Sequence, residues 1–280
     1  MTIDLDLDHL SNWIGRHDSK SERLDVGLAR RFEATFDRDL SASDGDIAPQ
    51  LIHLCLTQPV ARASALGRDG HPELGSFLPP VPLPRRMWAG GSFDFREPIR
   101  IGDTVKRTST IRDVTLKQGR AGLLCFVTID HEITTNSQLA LLERQDIVYR
   151  DTPRAPQADT IPAKAEVGTH RKEVNPSSTL LFRYSALTFN GHRIHYDRNF
   201  CMEPEGYPGL VVHGPLQATW LCRFAADIFG RRPSQFEFRS VAPLFDSDEI
   251  SLNATEDDDG LRLWTARSDG KLAMKALARC

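Results

Sequence analysis

A chain of 280 residues, 40% apolar and 26% charged, has ordinary globular composition and a length that suits two units or one large domain. Its net charge of −3 excludes a general nucleic-acid binder, which carries a basic excess, but leaves room for a local basic patch toward one phosphorylated ligand. No apolar run approaches the roughly 20 residues that cross a bilayer, so no membrane partner is expected.

The segment Met1 to Gly15 is acidic and lacks a basic stretch followed by an apolar one, so it does not read as a secretory signal. The cysteines, Cys55, Cys125, Cys201, Cys222 and Cys280, are odd in number and scattered. That argues against a disulfide framework or structural zinc and for a reducing compartment, by default the cytoplasm.

In chain order, Ile52 to Leu66 is predicted helical. Val105 to Thr115, Leu123 to Thr135 and Leu139 to Tyr149 read as strands, with a turn over Gln118 to Gly122 between the first two. Residues 151–168 contain Pro153, Pro156 and Pro162 and little apolar content, which predicts an extended linker. A short helix capped by Ser177 or Ser178 should run through Thr188. Gly191 is expected to break it, leaving Asn190, His192 and His195 to converge in a turn. A longer helix follows, with Gly214 as N-cap, Pro215 at the first helical position and an i, i+4 stripe of Leu216, Trp220, Phe224 and Ile228. Gly230 is its stop. Ile250 to Ala254, Leu261 to Thr265 and Leu272 to Arg279 are strands; the last two flank Asp269-Gly270, a hairpin signal. Asp257 to Gly260 is a solvated turn.

A weak repeat organises these elements. Phe93-Asp94-Phe95-Arg96 and Phe236-Glu237-Phe238-Arg239 lie 143 residues apart, each after a predicted helix and before a run of strands. Two halves of this kind indicate an α+β fold with antiparallel sheet. The expected organisation is residues 1–150, a linker at 151–168, and residues 169–280 carrying the chemistry.

The informative stretch is Phe189-Asn190-Gly191-His192-Arg193-Ile194-His195-Tyr196-Asp197, followed by Val211-Val212-His213-Gly214-Pro215. It resembles the MaoC-like hydratase family, whose signature runs Asp-x-Asn-Pro-x-His and then a His-Gly turn. With Phe77 to Pro80 and Pro84 to Gly91, it is similar to the branch of mitochondrial-type hydroxyacyl-thioester dehydratases and mesaconyl-CoA and itaconyl-CoA hydratases. The resemblance implies a double hotdog, two tandem units each with a long helix wrapped by antiparallel sheet. It makes His195 the catalytic histidine and gives Gly214 the backbone N–H that faces the thioester carbonyl. Asn190 stands where the family has Asp, and His192 where it has Asn. The usual carboxylate is therefore missing: Asn190 is left to hold a water, and either His192 or Asp197 is open as a second base. The N-terminal half, without such a motif, would shape the acyl pocket, giving one site per chain.

The implied activity is hydration of an enoyl thioester, itaconyl-CoA or mesaconyl-CoA giving citramalyl-CoA. Two alternatives are dehydration of a 3-hydroxyacyl chain on acyl-carrier protein and a hotdog module that binds acyl thioesters without turnover. Hydration builds negative charge on the carbonyl oxygen, which a helix N-terminus is arranged to receive. A histidine can take the proton from water. Arg85, Arg86, Arg183 and Arg193 are candidate partners for phosphates or an acyl carboxylate. Tyr196, Val212 and His213 are candidate lining residues, His213 as orienter of the loop. No cofactor is expected beyond the coenzyme A of the substrate; a homodimer is allowed. The spacing His192-x-x-His195 invites a metal, but no third ligand stands at suitable spacing, so none is expected.

Overall fold

The computed structural model describes residues 5–119, 122–151 and 165–280. Two short elements, α1 (Leu7–Ser11) and β1 (His17–Arg23), precede helix α2 (Val26–Thr35). Strands β2 (Arg85–Phe95), β3 (Thr104–Gly119), β4 (Gly122–Thr135) and β5 (Gln138–Arg150) complete the first set; the tip of the β3–β4 turn lies outside the described residues. So do residues 152–164, most of the expected linker. The second set comprises β6 (His170–Val174), α3 (Ser178–Leu187), α4 (Arg198–Met202), α5 (Gly214–Phe229), β7 (Gln235–Ser240), β8 (Ile250–Asp257), β9 (Gly260–Arg267) and β10 (Leu272–Arg279).

The ten strands form one antiparallel sheet in the order β1-β3-β4-β5-β2-β7-β10-β9-β8-β6. Alternation makes these strands: along β4, Cys125, Val127, Ile129, His131, Ile133 and Thr135 all point inward. The two copies of the repeat meet at the centre. Strand β2 pairs with β7 in a register that sets Phe93 opposite Phe236, with rings 6.3 Å apart and nearly parallel. The repeat read from sequence is thus a pair of neighbours joining two sets of strands.

Helix α5 lies against β2, β7, β8, β9 and β10. Every residue from Leu216 to Ala225 is buried, and Gly230 ends the helix in the left-handed region at φ 65°, where a side chain would be strained. Its buried polar residues are answered: Thr265 Oγ1 donates to Gln217 Oε1 at 2.9 Å.

The N-terminal half departs from expectation in its helix. Ile52 to Leu66 is not a long helix but two 3-10 turns, Ile52–Cys55 and Ala63–Ala65. Leu51 and Thr57 adopt φ of 68° and 56°, and Pro59 would sit in the helix interior without an N–H. The longest helix of that half is instead α2, capped by Asp25, whose Oδ1 accepts from Leu28 N–H at 2.9 Å. It carries Glu33, whose carboxylate takes a two-point contact from Arg223 of α5 (2.8 and 2.5 Å). Both side chains are about nine-tenths buried. Removing one partner leaves a buried charge uncompensated, a cost of about 3–5 kcal/mol. Glu33→Ala should therefore lower unfolding free energy by about that amount in urea denaturation, and Glu33→Leu combined with Arg223→Met should cost less than either single change.

Candidate active site

Ser177 Oγ caps α3 by accepting from Leu180 N–H at 3.3 Å, as expected. The helix closes as expected, with Thr188 as its C-cap, but the left-handed turn that breaks it is made by Phe189, exposed and at φ 48°, and not by Gly191. Asn190 Oδ1 accepts from His192 N–H at 3.0 Å, an Asx turn that launches a 3-10 turn over Arg193–His195.

Gly191 has a different task. It abuts Gly70 of the N-terminal half so closely that a Cβ on Gly191 would stand 2.5 Å from Gly70 O, and one on Gly70 would stand 2.0 Å from Gly191 O. Arg193 N–H donates to Asp69 O at 2.9 Å, and Arg193 Nη1 to Arg68 O at 3.2 Å. The loop Asp69-Gly70-His71 is thereby fastened to the histidine turn.

His195 is buried, and its Nδ1 lies 2.7 Å from Val211 O. A carbonyl only accepts, so Nδ1 carries the hydrogen and Nε2 keeps a lone pair. Val211 N–H in return donates to Ile194 O at 2.9 Å, and Val212 N–H to Leu244 O at 2.8 Å. His213 stacks on His195 at 3.6 Å between ring centroids, and its Nε2 lies 2.8 Å from Ser185 Oγ. His192 stands edge-on to His195 at 5.3 Å, and His71 lies 4.1 Å beyond His192. Four imidazoles thus form a row built from both halves.

His213 is the N-cap of α5 and Gly214 its first residue, so the helix begins one position earlier than read from sequence. As the first residue, Gly214 has an N–H with no acceptor within the helix. A Cβ there would meet only Trp88 and Ser240 at 3.6 to 4.0 Å, ordinary contact. Packing within the chain therefore does not require glycine at 214.

Asp69 Oδ2 lies 2.8 Å from His71 Nδ1, and Asp69 Oδ1 accepts from His71 N–H at 3.0 Å. Arg86 Nε is 3.1 Å from the same His71 nitrogen and 3.9 Å from Asp69 Oδ2. Burial raises the Asp69 carboxyl, but the His71 hydrogen bonds and the Arg86 charge outweigh it and hold the group well below the usual carboxylate range. Burial pushes all four histidines the other way: His195 down to about 3 despite its bond to Val211, His213 and His192 well below normal, and His71 below normal. At neutral pH the row is uncharged and Asp69 is ionised.

Of the residues proposed from sequence, His195, His192, Asn190, His213, Val212 and Gly214 come together. Arg86 joins them from β2. Arg193 turns instead to Asp197 at 2.7 Å and covers Phe200. Arg85 pairs with Glu205 at 3.0 Å and lies over Tyr207. Tyr196 is half exposed and donates to Gly191 O at 3.0 Å. Arg183 is exposed on α3. Asp197 is committed elsewhere, its Oδ1 capping α4 through Phe200 N–H and its Oδ2 held by Arg193, which removes it as a second base. Sequence reasoning missed Asp69 and His71. Asp69-Gly70 is a turn signal in the sequence, but nothing local encodes its contact with residue 191. The same loop sets Asp69 and His71 beside His192, without His195, so that three potential ligand atoms lie within 4.8 Å of one another.

The sequence profile of the hydroxyacyl-thioester dehydratase type 2 family matches residues 50–246. The mesaconyl-C(4)-CoA hydratase of Chloroflexus aurantiacus is 42% identical over 267 residues, covering 94% of this chain and 95% of that protein. Among solved structures, the MaoC-like dehydratase of Phytophthora capsici superposes with a TM-score of 0.71 at 12% identity, covering 99% of both chains. A conserved protein of Mycobacterium tuberculosis described as a double hotdog fold gives a TM-score of 0.54 at 15% identity, covering 95% of this chain and 96% of that one. The fold is therefore a double hotdog.

Two outcomes are expected. Gly191→Ala forces the 69–71 loop off the histidine turn and should cost about 1–3 kcal/mol by overpacking, read by thermal unfolding. Because His195 binds its proton near 3 when folded and near 6.5 when unfolded, its contribution to stability is complete above pH 6.5 and lost as pH falls toward 3. Denaturation at stepped pH should show that decline, and it should be shallower in His195→Gln.

Proposed function

We propose, from the premise that the chain belongs to the hydroxyacyl-thioester dehydratase type 2 family and is a hydro-lyase of the MaoC type, that it hydrates the double bond of an enoyl-CoA, with mesaconyl-CoA or itaconyl-CoA as substrate and citramalyl-CoA as product. The observation that carries the chemistry is the fixed tautomer of His195. With Nδ1–H tied to Val211 O, Nε2 is a neutral base beside the start of α5.

In this reading water gives a proton to His195 Nε2 as its oxygen bonds to the β-carbon. In mesaconyl-CoA, whose double bond is conjugated with the thioester, its electrons move toward the carbonyl, forming an enolate; itaconyl-CoA, with a β,γ double bond, enters the same path after a base takes its α-proton and the γ-carbon receives one. The Gly214 N–H and the positive end of α5 receive that charge. The imidazolium then returns the proton to the α-carbon, so one water is added and the base is regenerated. Asn190 keeps its amide nitrogen available to hold the water, since its Oδ1 is engaged with His192 N–H.

The similarity to the Chloroflexus aurantiacus protein supports the dicarboxylic acyl group. The family description favours a second reading, dehydration of a hydroxyacyl thioester, which uses the same groups in reverse. Free thiols throughout the described residues support a reducing compartment, in our reading the cytoplasm.

A panel of mesaconyl-, itaconyl-, crotonyl- and long-chain enoyl-CoA tests the proposal, followed by loss of enoyl-thioester absorbance for the conjugated substrates and by chromatographic detection of citramalyl-CoA for itaconyl-CoA. Turnover confined to the dicarboxylic substrates is expected; turnover of simple chains alone favours the second reading. His195→Gln should lose about 10²–10⁴-fold in kcat, and near wild-type turnover would remove His195 from the mechanism. Gly214→Ala, which the fold has room for, should keep its stability and lose activity, because a methyl obstructs approach to the 214 N–H.

A further inference from the structure

The carboxylate missing at position 190 has a counterpart in the other half of the chain. Asp69 is joined to His71 by two hydrogen bonds, and His71 lies against His192, which meets His195. The 69–71 loop has no other course, because the glycine contact and the two Arg193 hydrogen bonds fix it there.

We propose that Asp69, acting through His71, is the ionised partner of the catalytic histidines, supplied from the N-terminal half in place of the carboxylate that Asn190 lacks. The inference rests on the hydratase reading of the site. Both are positioning residues, since His192 stands between them and His195. Two neighbours compete for His71 Nδ1. The ionised carboxylate at 2.8 Å is the stronger acceptor and holds the hydrogen there, leaving Nε2 with its lone pair. When His195 takes a proton from water, the row gains one positive charge in a buried setting. The fixed negative charge of Asp69 at its far end favours that state. The same three ligand atoms would suit a cation, but Arg86 Nε stands 3.1 Å from one of them, and a guanidinium in that position opposes a metal.

The test uses the full-length enzyme with the best substrate of the panel. Asp69→Asn keeps shape and removes charge. It should lower kcat by about 10²-fold, with KM within twofold, and shift the acid limb of the kcat profile. Adding Asn190→Asp to that variant should recover much of the loss, since it returns a carboxylate to the same row; a purely structural role for Asp69 would not be rescued this way. Activity should be indifferent to chelator. A kcat for Asp69→Asn within threefold of wild type with an unchanged pH profile would overturn the inference, as would chelator-sensitive activity restored by zinc. Nitrogen-15 spectra of the histidine side chains decide the pairing without turnover. Asp69→Asn should change the His71 tautomer and shift the His192 signals, and spectra unchanged at both would overturn the inference. Absence of turnover by wild type on the whole panel would overturn the hydratase reading and leave this readout standing.

Discussion

The pairing of β2 with β7 is the constraint from which the rest of the molecule follows. Each strand belongs to a different set, and among the described residues this ladder alone makes one sheet of the two. Its register brings Trp88 of β2 to the start of α5, beside Gly214 and Ser240. There Ser240 Oγ donates to Trp88 O at 2.9 Å. A shift by one residue would turn Phe93 and Phe236 away from the core and move Arg86 off His71. Stacked aromatic rings at the centre hold the register through shape and burial.

On that frame the site is an electrostatic arrangement before it is a set of named residues. Four imidazoles lie in a row in surroundings that burial has made unfavourable to positive charge, so each is neutral at rest. One neutral base among them has its tautomer set by a backbone carbonyl. A single anion, kept ionised by hydrogen bonds and an adjacent guanidinium, stands at one end, and the N-terminus of a helix at the other. Preorganised fields of this type act without reorganisation at the moment of reaction.

Much of this was legible in the sequence, for physical reasons. Strands betray themselves by alternation, α5 by its i, i+4 stripe and its Pro and Gly ends, and the histidine turn by its spacing to Gly214. All of these are local signals. What failed was of two kinds. The expected helix at 52–66 was read as the counterpart of α5 in the other half, while Pro59 carried the contrary local signal. Asp69 and His71 were missed because their place depends on a contact between residues about 120 positions apart, which no local periodicity encodes. Arg85 and Arg193 were judged by charge alone, whereas the fold had already matched each to a carboxylate.

The glycine-to-glycine contact has a consequence for how such a protein can change. Although the chain is built from two similar units, they are not interchangeable parts. A domain taken from a relative would have to arrive with its own 69–71 loop shaped to a bare backbone at 191, or the graft would fold and remain incomplete. Once a loop of one half is threaded against the turn of the other, every later substitution on either side is judged by the same joint, and the pair evolves as one unit.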